Sequence, residues 1–242
     1  MGPSFVGVGV GPGDPELLTL KALSVLRDAD RVFGPTMALD AVGRAESIVR
    51  QVAPDVAVER LVFAIVTDHD ARCAAHGVAA ERVLACLAAG EQVAFVTLGD
   101  PNVYSTFHHL AALVLERRPT TTIETVPGIM AFQDLAARAG TVLVDGSERL
   151  HLVSAVDGPD ALEVALADDD AAIVVYKGGR HLPAMADRLA RAGRLDDAVF
   201  GELLGLPGQR IAAVEEVAGS PAAYLASVIV PPRRAGEHKD RG

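Results

Sequence analysis

The sequence predicts an α/β protein in which helices cover largely parallel sheets, divided into two domains. Short apolar runs alternate with helical stretches along the chain, which is typical of strand–helix–strand units. Three of these runs end in glycine-containing loops, the place where parallel strands present ligand sites. Arg117-Arg118-Pro119 and the three threonines that follow interrupt the alternation. We therefore predict an N-terminal domain over residues 1–118 and a C-terminal domain over residues 119–232.

Caps and apolar runs define the elements of the N-terminal half. Asp14 and Pro15 suit the N-cap and first position of a helix. Asp68 and Gly90 suit the two ends of a long alanine-rich helix. The predicted strands are residues 4–9, 32–33 and 92–98, and the predicted helices are residues 15–28, 68–89 and 103–116. The last of these strands is a largely apolar run, as expected of a strand buried on both faces.

The C-terminal half carries shorter elements of the same two kinds. The predicted strands are residues 122–126, 151–155, 171–176, 199–204, 210–214 and 228–230, and the predicted helices are residues 129–139, 161–167 and 182–191. Residues 233–242 are charged, and we expect them to form a flexible tail.

Composition narrows the classes of function. With 22 Lys+Arg against 32 Asp+Glu the formal net charge is −10, which disfavours general nucleic-acid binding. No apolar run reaches the roughly 18–20 residues of a membrane span. The first residues lack the basic stretch and apolar core of a secretory signal. Cys73 and Cys86 are the only cysteines and form no CxxC pair, so we expect a cytoplasmic protein without a metal centre.

The first glycine loop resembles a dinucleotide fingerprint without matching it. Counting from Gly7, the sixth position is Pro12, and counting from Gly9 it is Asp14, so the third glycine of GxGxxG is missing. The loop also lacks the GK[ST] of a phosphate-binding loop. Two interpretations remain open: a turn that lets a ligand approach the backbone, or a plain strand–helix turn.

The other two loops are shorter. In the second, LGDPNVYS, Gly99 removes a side chain and Asp100 adds a carboxylate at a strand end. That carboxylate can accept a ligand hydroxyl or ammonium, or it can cap the following helix. The third loop, TVPGIMA over residues 125–131, is again a strand, a Pro-Gly turn and a helix.

Taken in order and at their distances, the three loops resemble those of the tetrapyrrole methylases. The resemblance covers residues 5–231 and implies two α/β domains with an active-site cleft between them, S-adenosylmethionine as cofactor, and a homodimer. Four more stretches are similar to the precorrin-2 C20-methyltransferases and their cobalt-factor II counterparts: GRAESI at 43–48, YKGGRHLP at 176–183, PGQRI at 207–211 and YLASVIVP at 224–231.

The resemblance also implies site residues. The positions it assigns to the cofactor are Pro12, Leu98, Gly99, Asp100, Val103, Met130, Ala131, Tyr176 and Leu204. The chain departs from the family at Tyr176, where many relatives carry methionine, and at residues 203–206, where they often show an Arg-Ala-Thr-like stretch. A neutral-to-acidic pocket suits this cofactor because its sulfonium is cationic.

A reduced tetrapyrrole carries many carboxylates, so its site needs cationic and hydrogen-bonding side chains. The candidate substrate-binding residues are Tyr104, Lys177, Arg180, His181 and Arg210. No residue is assigned as catalytic, although Tyr104, His108 and His109 are candidates for a base. Consecutive residues do not share a helix face, so the two histidines are not a metal pair.

The resemblance implies methylation of C20 of precorrin-2 or cobalt-factor II, with the electron-rich meso carbon attacking the methyl group in line with its sulfur. The alternatives are another corrin-ring or siroheme-pathway methylase, a dinucleotide-dependent oxidoreductase, and a non-catalytic corrinoid-binding protein. Because the chain is acidic overall, binding a polyanion requires positive charge concentrated at the site.

Overall fold

The computed structural model describes residues 2–63 and 69–234. The chain divides into two compact units, Met1–Met130 and Ala131–Gly242. Among the described residues, each unit builds a five-stranded sheet with helices packed on it. The predicted α/β class is therefore confirmed.

The first unit has an entirely parallel sheet in the order β3-β2-β4-β1-β5. Its strands are β1 Ser4–Gly9, β2 Arg31–Thr36, β3 Val58–Val62, β4 Val93–Thr97 and β5 Thr122–Val126. Its helices are α1 Leu20–Asp28, α2 Arg44–Val52, α3 His69–Ala88 and α4 Phe107–Arg117. Buried side chains of α1 and α2 join one cluster with the sheet and those of α3 and α4 join another, so both faces are covered.

The structure corrects three expectations for this unit. The helix predicted over residues 15–28 is a short 3₁₀ helix, Pro15–Leu17, followed by α1, because Thr19 accepts the Ala22 N–H and starts a new helix. The helix predicted from residue 103 begins only at Phe107. Both α2 and β3 were missed. The predicted cap Asp68 lies outside the described residues.

The division between the units falls after Met130, whereas the sequence places it at 118/119. The difference is β5, which pairs in parallel with β1 from Ser4↔Thr122 to Val8↔Val126 and so belongs to the first sheet. The polar stretch before β5 is the connection from α4 to this strand.

The second unit has a mixed sheet in the order β6-β7-β10-β8-β9. Its strands are β6 Arg149–Ser154, β7 Ala171–Tyr176, β8 Val199–Glu202, β9 Arg210–Ala213 and β10 Ser227–Val230. Its helices are α5 Ala131–Ala139, α6 Asp160–Ala165, α7 Leu182–Arg191 and α8 Val214–Val217. Only β6 and β7 pair in parallel, and the other neighbours are antiparallel. The expectation of a largely parallel sheet is wrong here, since apolar runs carry no information about strand direction.

The tail expected from residue 233 begins with two anchored arginines. Arg234 Nε and Nη2 donate to the Glu148 carboxylate at 2.9 and 2.7 Å, and this contact holds the pKa of Glu148 below its usual value. Arg233 Nε lies 3.4 Å from Asp169. Residues 235–242 lie outside the described part of the chain.

Candidate functional site

Three glycines pack backbone against backbone at the carboxyl edge of the first sheet. β1 lies between β4 and β5, and the strands are parallel, so the loops that follow them meet at one edge. A Cβ on Gly9 would lie 2.5 Å from the carbonyl oxygen of Gly99, and a Cβ on Gly128 would overlap the same oxygen. Glycine is required at both positions, and the edge presents backbone rather than side chains to a ligand.

The first and second loops are joined through their backbones. Gly11 and Gly99 form an isolated antiparallel bridge in which the Gly99 N–H donates to the Gly11 carbonyl at 2.8 Å. Both have a positive φ, +84° and +69°, that favours glycine. The bridge brings Pro12, which is buried, close to the predicted residues Leu98 and Gly99.

Gly7 has a different role. A Cβ there would lie 2.6 Å from the ring of Phe107, which is buried in the sheet–helix core. This glycine makes room for an aromatic side chain of α4, whereas Gly9 makes room for the backbone of the two neighbouring loops.

Asp100 joins the second loop to the third. Its Oδ1 accepts the Asn102 N–H at 2.8 Å, and its Oδ2 accepts the Gly128 N–H at 3.0 Å. Helix capping is not its role, because the Phe107 N–H at the start of α4 donates to Ser105 Oγ at 3.1 Å. Each carboxylate oxygen has two lone pairs, so Asp100 keeps acceptor capacity for a ligand.

Three further polar side chains in or beside this loop were not predicted. Asn102 Nδ2 donates to Thr125 Oγ1 at 3.2 Å, which ties the loop to β5. The buried hydroxyls of Thr97 and Ser105 lie 3.0 Å apart and close the loop at its two ends. A polar residue at the end of an apolar strand, as at Thr97, is the signal that could have identified this pair.

The described non-glycine residues with positive φ all lie in candidate loops. They are Tyr104 at +50°, Lys177 at +59° and Leu203 at +52°. An L residue in this conformation costs about 1–2 kcal/mol, and such strain is found at functional sites where the surrounding structure imposes it. Each residue adjoins a predicted cofactor position: Val103, Tyr176 or Leu204.

The remaining candidates gather at one edge of the second sheet. Ser227, the first residue of β10, lies opposite both Tyr176 and Gly201, so the ends of β7 and β8 share an edge with the start of β10. Arg210, the exposed first residue of β9, lies opposite Glu202 at the same edge. The predicted site residues at or just after the ends of β7 and β8, and at the start of β9, therefore lie at this edge: Tyr176, Lys177, Arg180, His181, Leu204 and Arg210.

Tyr176 organises the start of α5. Its hydroxyl accepts the Phe132 N–H at 3.1 Å, and the two rings lie 6.4 Å apart between centroids. Ala131, a predicted cofactor residue, is the first residue of that helix. The tyrosine thus provides a helix-start contact that methionine, a weak acceptor, would not reproduce.

Leu204 is almost fully buried. It packs with Leu135 of α5 around Gly201, where a Cβ would lie 3.2 Å from Leu204 Cδ2 and 2.6 Å from Leu135 Cδ1. Leu204 therefore belongs to a packed wall rather than to an exposed loop.

Cationic side chains follow β7. Burial lowers the pKa of the Lys177 ammonium. Arg180 Nε donates to His181 Nε2 at 2.9 Å, and Arg180 also donates to the Val156 carbonyl. The loop packs closely on the chain before β10, where a Cβ on Gly179 would overlap the Ala223 carbonyl. This edge supplies positive charge despite the acidic composition.

His108 and His109 lie at the exposed start of α4, with ring centroids 3.8 Å apart. The expectation that consecutive side chains diverge is wrong for this pair, because rotation about the side-chain bonds brings the rings together. Across residues 2–63 and 69–234, no group of three metal-ligating side chains is placed to hold a metal ion. Over the same ranges, no helix combines the length and apolar character needed to cross a membrane.

A parallel sheet with glycine loops at its carboxyl edge, followed by a mixed sheet with a cationic edge, defines a two-unit α/β protein built to bind small ligands. The chain belongs to the Tetrapyrrole (Corrin/Porphyrin) Methylases, a family that it matches over residues 4–218. The family resemblance of the three loops is therefore confirmed.

Individual relatives span nearly the whole chain. The chain is 35% identical to a Precorrin-2 C(20)-methyltransferase from Sinorhizobium sp, over 94% of both chains. It is 30% identical to the Cobalt-precorrin-2 C(20)-methyltransferase of Salmonella typhimurium, over 87% of both. The crystal structure of the methyltransferase CobJ matches with a TM-score of 0.69 and 22% identity over 97% of both chains, which supports the fold.

Proposed function

We propose that this chain is an S-adenosylmethionine-dependent C-methyltransferase of cobalamin biosynthesis that methylates C20 of precorrin-2 or of its cobalt form. The observation that carries the proposal is the 35% identity to the Sinorhizobium relative over 94% of both chains. Relatives named for the metal-free and for the cobalt-containing substrate both match, so the proposal includes both.

The donor set of the glycine loops suits S-adenosylmethionine. When bound, this cofactor supplies a methyl group on a cationic sulfur. The half-buried carboxylate of Asp100 and the half-buried backbone around Gly99 and Gly128 favour a cation through charge and carbonyl dipoles. The residues that the family resemblance assigns to it are Pro12, Leu98, Gly99, Asp100, Val103, Met130, Ala131, Tyr176 and Leu204.

The substrate has the opposite charge requirement. Lys177, Arg180, His181 and Arg210 would pair with its carboxylates, and Tyr104 would donate a hydrogen bond. Held in this way, the meso carbon is fixed in position relative to the methyl group, and positioning of this kind is a large part of catalysis. No residue of the chain needs to form a covalent bond.

We also propose a cytoplasmic homodimer. Cys73 and Cys86, both in the described part of the chain, form no disulfide, and burial is the first cause that raises the pKa of the Cys86 thiol. The lack of a disulfide between them is typical of a protein in a reducing compartment. Sedimentation of the purified chain is expected to give twice the mass of 25.2 kDa, and a monomer at micromolar concentration would contradict the dimer.

The deciding experiment is a product assay. The chain is incubated with ¹³C-methyl-labelled S-adenosylmethionine and either precorrin-2 or its cobalt form, and the labelled carbon is located by NMR. Label at C20 is the expected result, and label at any other carbon would overturn the position assigned here. Uroporphyrinogen III is the comparison substrate, since a chloroplastic uroporphyrinogen III methyltransferase of Arabidopsis thaliana is 33% identical over 78% of the chain.

Cofactor choice is tested separately by calorimetry with S-adenosylhomocysteine and with NAD. Binding of the first alone is expected. Binding of NAD alone would favour the oxidoreductase, and tight binding of both methylase ligands without turnover would favour a corrinoid-binding protein.

A further inference from the structure

The segment between β2 and α2, which we call the 37–42 loop, stands beside the candidate cofactor loops. β2 pairs in parallel with β4 from Arg31↔Val93 to Phe33↔Phe95. Counted three residues further along each strand, Thr36 at the end of β2 corresponds to Leu98. Neighbouring strands are about 4.8 Å apart. The 37–42 loop therefore leaves the sheet one strand away from the loop of Gly99 and Asp100, at the same edge.

This loop exposes apolar side chains. Met37, Leu39 and Val42 are 53%, 68% and 49% exposed. Apolar side chains grouped at one exposed place are characteristic of a binding surface. Next to them, Arg44 is exposed at the first position of α2, where the helix macrodipole disfavours a cation, so its charge does not serve helix stability.

Backbone carbonyls hold the loop in one shape. Thr36 Oγ1, which is buried, lies 2.9 Å from the Ala38 carbonyl oxygen and 2.7 Å from that of Ala41. The Ala41 N–H donates to the Ala38 carbonyl at 3.1 Å. The exposed apolar side chains thus project from an ordered turn, which lowers the entropic cost of binding a ligand on them.

A buried ion pair adds a second restraint. Glu46 of α2 is 1% exposed and accepts Arg60 Nε at 2.7 Å and Nη2 at 3.0 Å, while Arg60 Nη1 donates to the Leu39 carbonyl at 2.7 Å. Burying a charged pair is costly, so its presence favours a positional role. Gly43 allows the close approach, since a Cβ there would overlap the Pro35 carbonyl.

We propose that the 37–42 loop is a wall of the tetrapyrrole site, with Met37 and Leu39 against the macrocycle and Arg44 paired with one of its carboxylates. Glu46 and Arg60 are positioning residues that hold this wall. The inference rests on the proposed function. It follows from adjacency, because the methyl donor and the methylated carbon must be in contact and the loop adjoins the proposed donor site. It also follows from chemistry, because an apolar ring with carboxylates matches apolar side chains beside a guanidinium.

The test measures kcat and KM for the tetrapyrrole, together with the affinity for S-adenosylhomocysteine. Leu39→Ser and Arg44→Gln change exposed side chains, so both variants are expected to fold. Because each removes a contact with the substrate, each is expected to raise KM about tenfold, which corresponds to about 1.4 kcal/mol, with S-adenosylhomocysteine affinity unchanged. The matched control is Val164→Ser on α6, where the valine is 80% exposed, and its KM should equal that of the wild type.

The positioning pair has its own readout. Arg60→Met is expected to raise KM with little change in kcat. The KM of Arg60→Lys should lie between those of Arg60→Met and the wild type, because lysine keeps the charge but cannot donate the paired hydrogen bonds. If the wild type methylates C20 and Leu39→Ser and Arg44→Gln keep its KM, the wall is refuted while the proposed function stands. If either variant no longer forms a dimer but keeps the wild-type KM, the wall is also refuted, and the 37–42 loop is instead a contact between two copies of the chain. If the wild type methylates neither substrate, both proposals fail.

Discussion

Asp100 Oδ2 accepts the backbone N–H of Gly128 at 3.0 Å, and this hydrogen bond spans two loops whose strands are not neighbours. The loop of Asp100 follows β4 and that of Gly128 follows β5, with β1 between them in the sheet. The carboxylate therefore sets the spacing of the loops on either side of the first glycine loop. The sequence presents Asp100 as a ligand or a helix cap, but in the structure its carboxylate holds two loops of the candidate site together.

Replacing Asp100 should weaken cofactor binding. Asp100→Ala leaves the Asn102 and Gly128 N–H groups without their acceptor, and hydrogen bonds to a charged group contribute about 1.5–3 kcal/mol. We expect calorimetry to show at least a tenfold lower affinity of Asp100→Ala for S-adenosylhomocysteine. The affinity of Asp100→Asn, which keeps one carbonyl oxygen as an acceptor, should fall less. The control is Asp55→Asn, which removes an exposed ion pair with Arg27. Equal affinity in Asp100→Ala and the control would contradict the bracing role.

Gly128→Ala should destabilise the first unit. Its Cβ would overlap the Gly99 carbonyl, so the third loop must move away from the other two. Overpacking of this kind costs about 1–3 kcal/mol. Gly77→Ala is the matched control, because a Cβ at Gly77 in α3 meets nothing within 4 Å and alanine favours a helix. Thermal unfolding should show a lower Tm for Gly128→Ala and an equal or higher Tm for Gly77→Ala; the reverse order would disprove the close approach.

Tyr176→Phe should loosen the start of α5. The variant keeps the ring beside Phe132 and removes the oxygen that accepts its N–H. The expected loss of stability is about 1 kcal/mol, accompanied by faster hydrogen exchange of the Phe132 amide. Tyr224→Phe, at a half-exposed tyrosine in the same unit, serves as the comparison. Unchanged exchange at Phe132 would mean that the hydroxyl does not hold the helix.

Lys177→Gly should separate stability from substrate binding. Glycine adopts the φ of +59° without strain, so the stability of the second unit is not expected to fall. The KM for the tetrapyrrole should nevertheless rise severalfold, because a cation that pairs with a carboxylate is lost. Lys21→Gly, at an exposed lysine of α1, should instead lower stability by about 1 kcal/mol without affecting KM. An unchanged KM in Lys177→Gly would remove this lysine from the substrate site.

Asp168 should make the second unit sensitive to acid. Its carboxylate accepts a hydrogen bond from Arg149 Nε at 2.6 Å and lies 3.1 Å from His151 Nε2, and these two groups hold its pKa well below the usual value. Since the pKa is about 3.9 in an unfolded chain, this stabilisation is present above about pH 4 and is lost as the pH falls.

Urea unfolding at about pH 5 and about pH 3 checks this dependence. Asp168→Asn should be less stable than the wild type at the higher pH, and the difference should shrink at the lower pH. Asp187→Asn changes an exposed position of α7 and is the control. Its stability to urea should equal that of the wild type at both pH values. A difference for Asp168→Asn that stays constant with pH would contradict the lowered pKa.

Local patterns were sufficient for much of the fold. β1, β5, β7 and α7 have the bounds that their apolar runs and flanking residues predict. β3 was missed because VERLV is short and has two adjacent charged residues, Glu59 and Arg60, at its centre, so it shows neither an apolar run nor a strict alternation. The helix α2 was missed because its buried face includes the charged Glu46, whose partner Arg60 lies on β3. A pairing of this kind between separate elements leaves no periodic signal.

By itself, the sequence determined the α/β class, the family and the three loops, because strand ends, glycine turns and apolar runs are local chemistry. Only the tertiary structure decided that β5 belongs to the first sheet, that the second sheet is mostly antiparallel, and that Asp100 spans to Gly128. These features depend on which backbone groups pair across the sheet. Hydrogen bonding between distant segments is not encoded in the pattern of either segment alone.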